Sequence, residues 1–366
     1  MPGATHGNTL RLCGDGQQAY RCLVELIADA RRTLHIATFI FQSDAVGQDI
    51  LARLAQRAAE GVQVRLLMDD VGSLWTTRQF LAPLRRAGGK TAFFVPLLSR
   101  PFRGRTNLRN HRKICLADDR LAIAGGANIA DEYIGPEPDE RRWQDFSFLV
   151  EGPAVRQYAE IFRSDWAFAS GELLEPVAPP PAACPWPAGA VLQVVPSGPD
   201  CPGDALFDAI LSAMYAARRR LWIVSPYFVP DDALTHALVV AARRQVDLRI
   251  VVPQVSDHLA LDLVRGPYLR EVQDAGGKVV LFRRGMLHAK VLVVDDELAM
   301  VGSANMDRRS LFLNYEAAMF AYSPAEVTAI ARYVQQIMAN APTGLQPPTL
   351  LRGMAESFVR LFAPLL

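Results

Sequence analysis

Two short stretches of this sequence share the same six positions, and their residue types are those that phosphate chemistry needs. Each has a His, a Lys at +2, an Asp at +7, a Gly at +14, a small residue at +15 and an Asn at +17. The two sets are His111, Lys113, Asp118, Gly125, Gly126, Asn128 and His288, Lys290, Asp295, Gly302, Ser303, Asn305. One His-x-Lys pair would be weak evidence, but six positions in register are not plausibly chance. The duplication predicts two half-sites that meet as one.

The residue types favour catalysis over packing. If the His-x-Lys segment is a strand, alternate residues face the same side, so the imidazole and the ammonium project together. The small pairs let a ligand approach the backbone, and the asparagines add amide donors. The alternative is a histidine that only caps or fills a strand edge. That alternative is preferred for the other four histidines, which lack the pattern: His6, His35, His236 and His258.

The elements that must position these residues also repeat. Apolar runs at Ile114–Ala117 and Val291–Val294 predict strands buried on both faces, each followed by an acidic turn and a second strand at Leu121–Ala124 or Leu298–Val301. Upstream, each half predicts a helix, a strand, a helix, a strand and a third helix ending in Ala-Gly-Gly-Lys. These upstream strands are expected at 34–41, 62–68, 221–228 and 246–252. The alternation predicts an α/β sheet with helices on both faces.

Composition limits the function classes. The 366 residues suffice for two domains, and a net charge of +1 disfavours a general nucleic-acid binder. No apolar run of about 18 residues exists and the N-terminus lacks the features of a secretory signal, so we expect neither a transmembrane helix nor a signal peptide. No carboxylate cluster with metal-ligand spacing accompanies the motifs, so we expect no metal and no cofactor. The five cysteines show no metal spacing or disulfide framework, which favours a reducing cytoplasm: Cys13, Cys22, Cys115, Cys184 and Cys201.

A proline-rich stretch divides the chain. We predict an N-terminal domain at 1–175, a linker at 176–190, a C-terminal domain at 191–345 and an amphipathic segment at 346–366. In that last segment one broad apolar face can form, with Arg352, Glu356 and Arg360 elsewhere. Membrane contact and docking of this segment on the protein's own core both stay open.

The halves differ in one insertion. From Lys90 to His111 the first half spans 21 positions, whereas Lys278 to His288 spans 10. The extra residues mix apolar side chains with arginines, and a basic residue near an anionic lipid surface contributes about 1 kcal/mol. A solvated basic loop is the alternative. We predict that the substrate or the membrane binds Arg100, Phe102, Arg103 and Arg105.

Both motifs resemble the signature of the phospholipase D superfamily, His-x-Lys-x4-Asp-x6-Gly-Gly/Ser-x-Asn, which is normally present twice. Longer strings, including Gly125–Tyr133, Glu151–Val155, Gly302–Ser310 and Asn314–Glu316, resemble its cardiolipin synthase branch. The resemblance runs from roughly Gly14 to the C-terminus. It implies two similar α/β/α domains, each with a mixed β-sheet flanked by helices, that share one active site at their interface.

The resemblance also implies roles for the site residues. His111 becomes the nucleophile that forms a phosphohistidine, and His288 the general acid and then the general base, although the sequence symmetry leaves the reverse assignment open. Lys113, Lys290, Asn128 and Asn305 would stabilise the phosphate oxygens. Glu316 matches the family's acidic partner of the second histidine, and Asp145 would orient His111. Asp118 and Asp295 are implied as structural turn residues, together with Gly125, Gly126, Gly302 and Ser303.

The expected reaction is phosphatidyl transfer, in which two phosphatidylglycerols condense to cardiolipin and glycerol. A hydrolytic phospholipase D uses the same residues, and phosphatidylethanolamine is an alternative donor or acceptor. A phosphodiesterase nuclease and a non-catalytic membrane-binding module are the remaining alternatives. We expect phospholipid partners, no nucleic acid, and a peripheral location on the cytoplasmic face of the cell membrane; the oligomeric state stays open.

Overall fold

The computed structural model describes residues 2–95, 108–176, 189–350, 353 and 356. The strands in these ranges are β1 (Thr5–Cys13), β2 (Thr33–Thr38), β3 (Gln63–Asp69), β4 (Lys90–Phe94), β5 (Ile114–Ala117), β6 (Leu121–Gly125), β7 (Ser147–Glu151), β8 (Ala190–Ser197), β9 (Arg220–Val224), β10 (Phe228–Val229), β11 (Asp247–Pro253), β12 (Lys278–Phe282), β13 (Val291–Val294), β14 (Leu298–Gly302), β15 (Met306–Asp307) and β16 (Glu316–Ala321). The helices are α1 (Gly16–Asp29), α2 (Ala45–Ala59), α3 (Ala82–Arg86), α4 (Ala154–Ser170), α5 (Ala205–Ala216), α6 (Asp232–Arg243), α7 (Leu259–Asp274), α8 (Arg308–Phe312) and α9 (Pro324–Met338).

The two halves of the chain build one continuous 14-stranded sheet, in the order β12-β11-β9-β13-β14-β16-β8-β1-β7-β6-β5-β2-β3-β4. Read from either edge toward the centre, the strands of the two halves follow in the same order. In each half three strands are parallel, because helices connect them, and the rest are antiparallel. The halves join where β1 pairs antiparallel with β8. The predicted fold class, a mixed α/β sheet with flanking helices in two similar halves, is confirmed.

Most predicted elements form, with shifted ends. The strands predicted after both His-x-Lys motifs are present, but β2 stops at Thr38 and the strand expected at 221–228 splits into β9 and β10. A local hydroxyl bond explains both interruptions. Thr38 Oγ1 donates to the Ile40 carbonyl at 2.9 Å, and Ser225 Oγ donates to that of Tyr227 at 2.6 Å, so each chain turns away from the ladder.

The hairpin aspartates of the motifs bind the backbone that leads into a neighbouring strand. Asp118 and Asp295 begin the turns with φ of 56° and 49°, a region that Asp tolerates better than most residues do. Each carboxylate accepts hydrogen bonds of 2.7–3.0 Å from three consecutive backbone amides, those of the first residue of β2 or β9 and of the two residues before it. Both aspartates thus make structural contacts at their turns, and their structural rather than catalytic role stays a prediction.

The buried apolar side chains are also distributed similarly in the two halves. One apolar cluster spans both halves and includes Phe148, Trp166, Val224 and Met319. Each half adds its own cluster. None of the helices that the structure describes is both long and apolar enough to cross a bilayer.

Several predictions fall outside the described residues. They are positions 177–188 of the predicted linker at 176–190, the insertion residues Arg100, Phe102, Arg103 and Arg105, and the C-terminal segment beyond position 350 except at positions 353 and 356. One of those positions, Glu356, is buried and forms an ion pair with Arg270 of α7. At this residue, the structure shows that the C-terminal segment docks on the protein itself.

Candidate active site

The two histidine motifs meet where the two halves of the chain contact each other. β5 and β13 begin just after them, and each motif segment precedes its strand instead of forming it. The backbone there pairs with the other half of the chain. His111 N donates to the Tyr315 carbonyl at 2.9 Å, and His288 N donates to the Gln144 carbonyl at 2.8 Å. The His-x-Lys segments are therefore not strands, contrary to the expectation. Their backbone pairs with the other half of the chain instead.

Each histidine is held by the acid of the opposite half. A carboxylate oxygen of Glu316 lies 3.0 Å from His111 Nδ1, and Asp145 Oδ2 lies 2.6 Å from His288 Nδ1. The expectation that Asp145 orients His111 and Glu316 serves His288 is wrong. The reason is the central junction, since β7 and β16 lie on either side of β1 and β8 and bring each acid across it.

The carboxylates fix the orientation of the rings. The Ser303 carbonyl lies 3.1 Å from His111 Nδ1, so that nitrogen faces two oxygen acceptors. A proton on Nδ1 satisfies them and leaves a lone pair on Nε2. For His288, Asp145 Oδ2 at 2.6 Å from Nδ1 favours the same tautomer, because the nearby Lys290 ammonium donates to the His288 carbonyl. Both rings are thus set to present Nε2 to a substrate.

The motif lysines lie against the histidine backbone. Lys113 Nζ donates to the His111 carbonyl at 2.7 Å. Lys290 Nζ donates to the His288 carbonyl and lies 2.8 Å from His288 Nδ1. Both ammonium groups are buried, so a phosphate that enters the site meets them with little water between.

Burial shifts the pKa values of the site in a consistent direction. Burial, followed by the Lys290 charge, lowers the pKa of His288 to about 3. Burial also lowers the pKa of His111, with smaller contributions from Lys113 and Lys290. The lysine of the opposite half contributes to the lowered pKa of each histidine, in agreement with the contacts that bring both motifs into one site. Both imidazoles are neutral before a substrate binds.

The lysines and acids respond to the same burial. It lowers the pKa of Lys290 to about 8 and that of Lys113 well below its usual value. Burial raises the pKa of Asp145 and Glu316, but the facing histidine with its hydrogen bond and the charge of the motif lysine outweigh burial and leave both pKa values lowered. The two carboxylates are ionised at neutral pH.

The small residues of the motifs leave space for the two acids and for the backbone beside them. A Cβ on Gly126 would come within 2.2 Å of Asp145 Oδ1, and one on Gly302 within 2.6 Å of the Ala317 carbonyl. Gly125 has a φ of 143° and no space for a side chain. Ser303 Oγ accepts from the Ala317 amide at 3.1 Å. These are packing and backbone contacts, and the structural role of the four residues stays a prediction.

The motif asparagines are partly engaged with loops. Asn128 Oδ1 accepts from the Ile40 amide at 3.1 Å, and Asn305 Nδ2 donates to Ser310 Oγ at 3.1 Å. Asn305 Oδ1 is buried without a hydrogen-bond partner in the part of the chain that the structure describes. Their role as donors to a phosphate stays a prediction.

Four further residues line or brace the site, and motif spacing alone did not identify them. The Phe39 ring lies edge-on to His111 at 5.0 Å, and the Tyr133 and Trp143 rings lie 5.2 and 5.4 Å from His288. Arg112 is buried and bonded to the opposite half. Tyr133 and Trp143 stand close in sequence to Asn128 and Asp145, which is the signal that could have found them.

No three His, Cys, Asp or Glu side chains within the described ranges are grouped so that they could hold a metal ion. Independence from metals stays a prediction.

Comparison with known proteins decides the family. The sequence profile described as "Cardiolipin synthase, PLD-like domain" matches residues 23–166 and 210–338, which is most of both halves. The chain belongs to this family. Its enzyme class is that of a phosphatidyltransferase, and the cardiolipin synthase-like function predicted from the sequence is confirmed at the level of the family.

Individual relatives agree. The chain is 37% identical to a cardiolipin synthase of Halalkalibacterium halodurans over 86% of its own length and 63% of that protein's. It is 34% identical to the major cardiolipin synthase of Bacillus subtilis over 99% of its length and 76% of that protein's. The chain thus spans 63% and 76% of the length of these two relatives. The crystal structure of a phosphatidylserine synthase from Haemophilus influenzae superposes with a TM-score of 0.73 at 17% identity, covering 98% of this chain and 93% of that one, and it shows the shared fold.

Proposed function

We propose that this chain is a cardiolipin synthase that transfers a phosphatidyl group between two phosphatidylglycerols through a phosphohistidine. The observation that carries the proposal is the crossed pairing of each motif histidine with a carboxylate of the other half. Two imidazoles that each present Nε2 to the substrate, flanked by two buried lysines, suit a nucleophile and a proton donor that act on one phosphorus.

In the first step, His111 Nε2 attacks the phosphorus of one phosphatidylglycerol. The bond from phosphorus to the glycerol oxygen breaks, and His288 gives that oxygen a proton. In the second step, a glycerol hydroxyl of another phosphatidylglycerol loses its proton to His288 and attacks the same phosphorus. The phosphorus–nitrogen bond breaks, and cardiolipin leaves with the starting histidines restored.

The electrostatics support this division of labour. The lowered pKa of His111 keeps it neutral, as a nucleophile must be. His288 must carry a proton in the first step, and the negative charge of the bound phosphodiester, with Asp145 behind the ring, favours the imidazolium. Lys113 and Lys290 offset the charge that develops on the phosphate oxygens.

The test is product analysis with labelled phosphatidylglycerol in the presence of EDTA. We expect cardiolipin and glycerol in equal amounts. Phosphatidic acid without cardiolipin would make the enzyme a hydrolase, since water would then be the acceptor, and labelled phosphatidylethanolamine in parallel reports an alternative donor or acceptor. Turnover that stops in EDTA would contradict metal independence.

Mass spectrometry after brief incubation assigns the histidines. We expect a phosphatidyl adduct on His111, whereas an adduct on His288 would reverse the assignment. His236→Ala is the matched control, because His236 is exposed on α6. The proposal includes a peripheral location on the cytoplasmic face of the cell membrane, supported by the lipid chemistry of the family.

A further inference from the structure

Two turns of the chain expose large apolar side chains. The first turn (residues 71–75) follows β3, and there Val71, Leu74 and Trp75 are 41%, 62% and 76% exposed. The second turn (residues 255–259) leads from β11 to the first residue of α7, and there Val255 and Leu259 are 62% and 73% exposed. These five side chains are half of the large hydrophobic residues that are exposed in the described chain. Such clustering marks an interaction surface.

The two turns occupy equivalent places. β3 and β11 hold the same position in their halves of the sheet, and each turn follows the carboxyl end of its strand. β5 runs antiparallel to β2, with Ala37 opposite Ile114. The His111 segment therefore lies at the edge where β2 and β3 end, and the same holds in the second half. The turns flank the active site at one edge of the molecule.

The first turn contacts Phe39, and Phe39 contacts the first histidine. Ser73 Oγ donates to the Phe39 carbonyl at 3.0 Å, and a Cβ on Gly72 would come within 2.3 Å of the same oxygen. The Phe39 ring in turn contacts His111. The second turn has a similar relation to His288. Val255 and Trp143 line one cavity of about 360 Å³, and the Trp143 ring contacts that histidine.

Exposed arginines accompany both turns. Arg78 stands three residues after Trp75, and Arg283 and Arg284 are exposed beside the second turn. Arg283 Nε donates to Gln254 Oε1 at 2.7 Å, which places it next to Val255. Tryptophan and aliphatic side chains beside arginine suit the interface of a bilayer that carries anionic lipids.

We propose that the first and second turns form one docking surface for an anionic phospholipid bilayer. The apolar side chains enter the interfacial layer on both sides of the active site, and the arginines face the lipid phosphates. A phosphatidylglycerol headgroup then reaches the histidines while its acyl chains stay in the bilayer. The surface deepens the proposed function and rests on it for the identity of the substrate, but its binding to lipid is measured independently of turnover.

The test uses two double variants of the full chain, Leu74→Ser/Trp75→Ser and Val255→Ser/Leu259→Ser. The matched control is Leu173→Ser/Tyr215→Ser. Those two residues are also exposed, but Leu173 follows Glu172, which pairs with Lys90 at the opposite edge of the sheet. Cosedimentation with vesicles of phosphatidylglycerol or phosphatidylcholine reports binding. Transfer activity is followed on the same vesicles and on a short-chain phosphatidylglycerol below its micellar concentration.

We expect the wild type and the control to bind phosphatidylglycerol vesicles more tightly than phosphatidylcholine vesicles. Each test variant should lose vesicle affinity by roughly tenfold, as expected for an apolar pair that no longer leaves water. Its turnover on vesicles should fall in parallel, while turnover of the monomeric lipid stays within about twofold.

Unchanged vesicle binding in both variants, or a wild type that ignores vesicles, overturns the docking surface. An equal loss on vesicles and on monomeric lipid also overturns it, because the turns would then serve the fold or the chemistry. If the wild type binds vesicles but makes no cardiolipin from either lipid, the proposed function fails and the binding data alone decide the surface. Self-association of the wild type that is lost in the variants, without lipid binding, would assign the turns to a second copy of the chain.

Discussion

At the residue scale, Asp145 and Glu316 each hold a histidine from the other half, so removing one acid should disturb one ring and spare the other. Asp145→Asn keeps the shape and removes the charge that faces His288 Nδ1. We expect turnover to fall on the order of 10²–10⁴-fold, because the ring loses its tautomer and the support for its proton. Two-dimensional ¹H–¹⁵N NMR of the imidazoles should show a change at His288 and none at His111.

Glu316→Gln is the mirror experiment. It should leave His288 unchanged and shift the His111 resonances, since Glu316 contacts His111 Nδ1. Single His→Gln variants assign the signals. If Asp145→Asn shifts the His111 resonances and leaves those of His288 unchanged, each acid would be paired with the histidine of its own half.

Lys290 makes activity sensitive to alkali. Burial lowers its pKa to about 8, and the protonated form is the one that offsets phosphate charge. As the pH rises through about 8, the free enzyme loses this cation, so kcat/KM should fall on the alkaline side. A bound phosphodiester favours the protonated lysine, so the fall in kcat should begin at a higher pH than the fall in kcat/KM.

Rate measurements against pH with a soluble short-chain lipid check this prediction. Lys290→Met should cost activity and remove this alkaline limb. Lys278→Met, which alters an exposed lysine paired with Asp247, should keep the limb unchanged. A kcat/KM that stays level well above pH 8 would contradict the assignment of Lys290.

At the scale of elements, Arg112 fastens the segment before β5 to the second half. Its guanidinium is buried, pairs with Asp165, and donates to the Ser197 and Glu316 carbonyls, each at 3.0 Å. The matching motif position in the second half is Ala289, so this clamp, the set of contacts made by the Arg112 side chain, has no equivalent there. Because it holds the backbone of Glu316, it also positions the acid that orients His111.

Removing this clamp should lower stability strongly. Arg112→Met leaves Asp165 as a buried carboxylate without its main cation, and breaking a buried pair in this way costs about 3–5 kcal/mol of the free energy of unfolding. Urea denaturation measures the loss. Arg219→Met breaks an exposed pair with Asp296 and should cost less than about 1 kcal/mol. Equal, small losses in both variants would contradict the role of Arg112.

The same elements show what sequence patterns can and cannot predict. Ile114–Ala117 and Val291–Val294 were predictable because a buried strand leaves a local apolar run. β1 was not, since its side chains alternate irregularly between buried and exposed. Asp145 and Glu316 were identified, but their partners depend on the junction of β1 with β8. That junction is a long-range contact with no periodic signal.

At the scale of the whole molecule, the halves are held by contacts that do not involve the proline-rich segment. β1 pairs with β8, and the side chain of Asn8 bonds the Ala190 carbonyl at 3.0 Å and the Ala154 amide at 2.8 Å. Backbone bridges join Asn110 to Tyr315 and Gln144 to Leu287. The apolar cluster beneath them contains residues from both halves. Continuity of the chain is therefore not what keeps the active site together.

A protease site placed between 177 and 188 tests this directly. After cleavage, we expect the protein to elute from a sizing column at its original volume and to retain most of its transfer activity, because the junction, the bridges and Arg112 remain. The same cut in an Asn8→Ala/Arg112→Met background should let the halves separate, and activity should then disappear because each histidine loses its acid. If the cut protein with the native junction falls apart, the linker itself maintains the assembly and the contacts between the halves are too weak to do so.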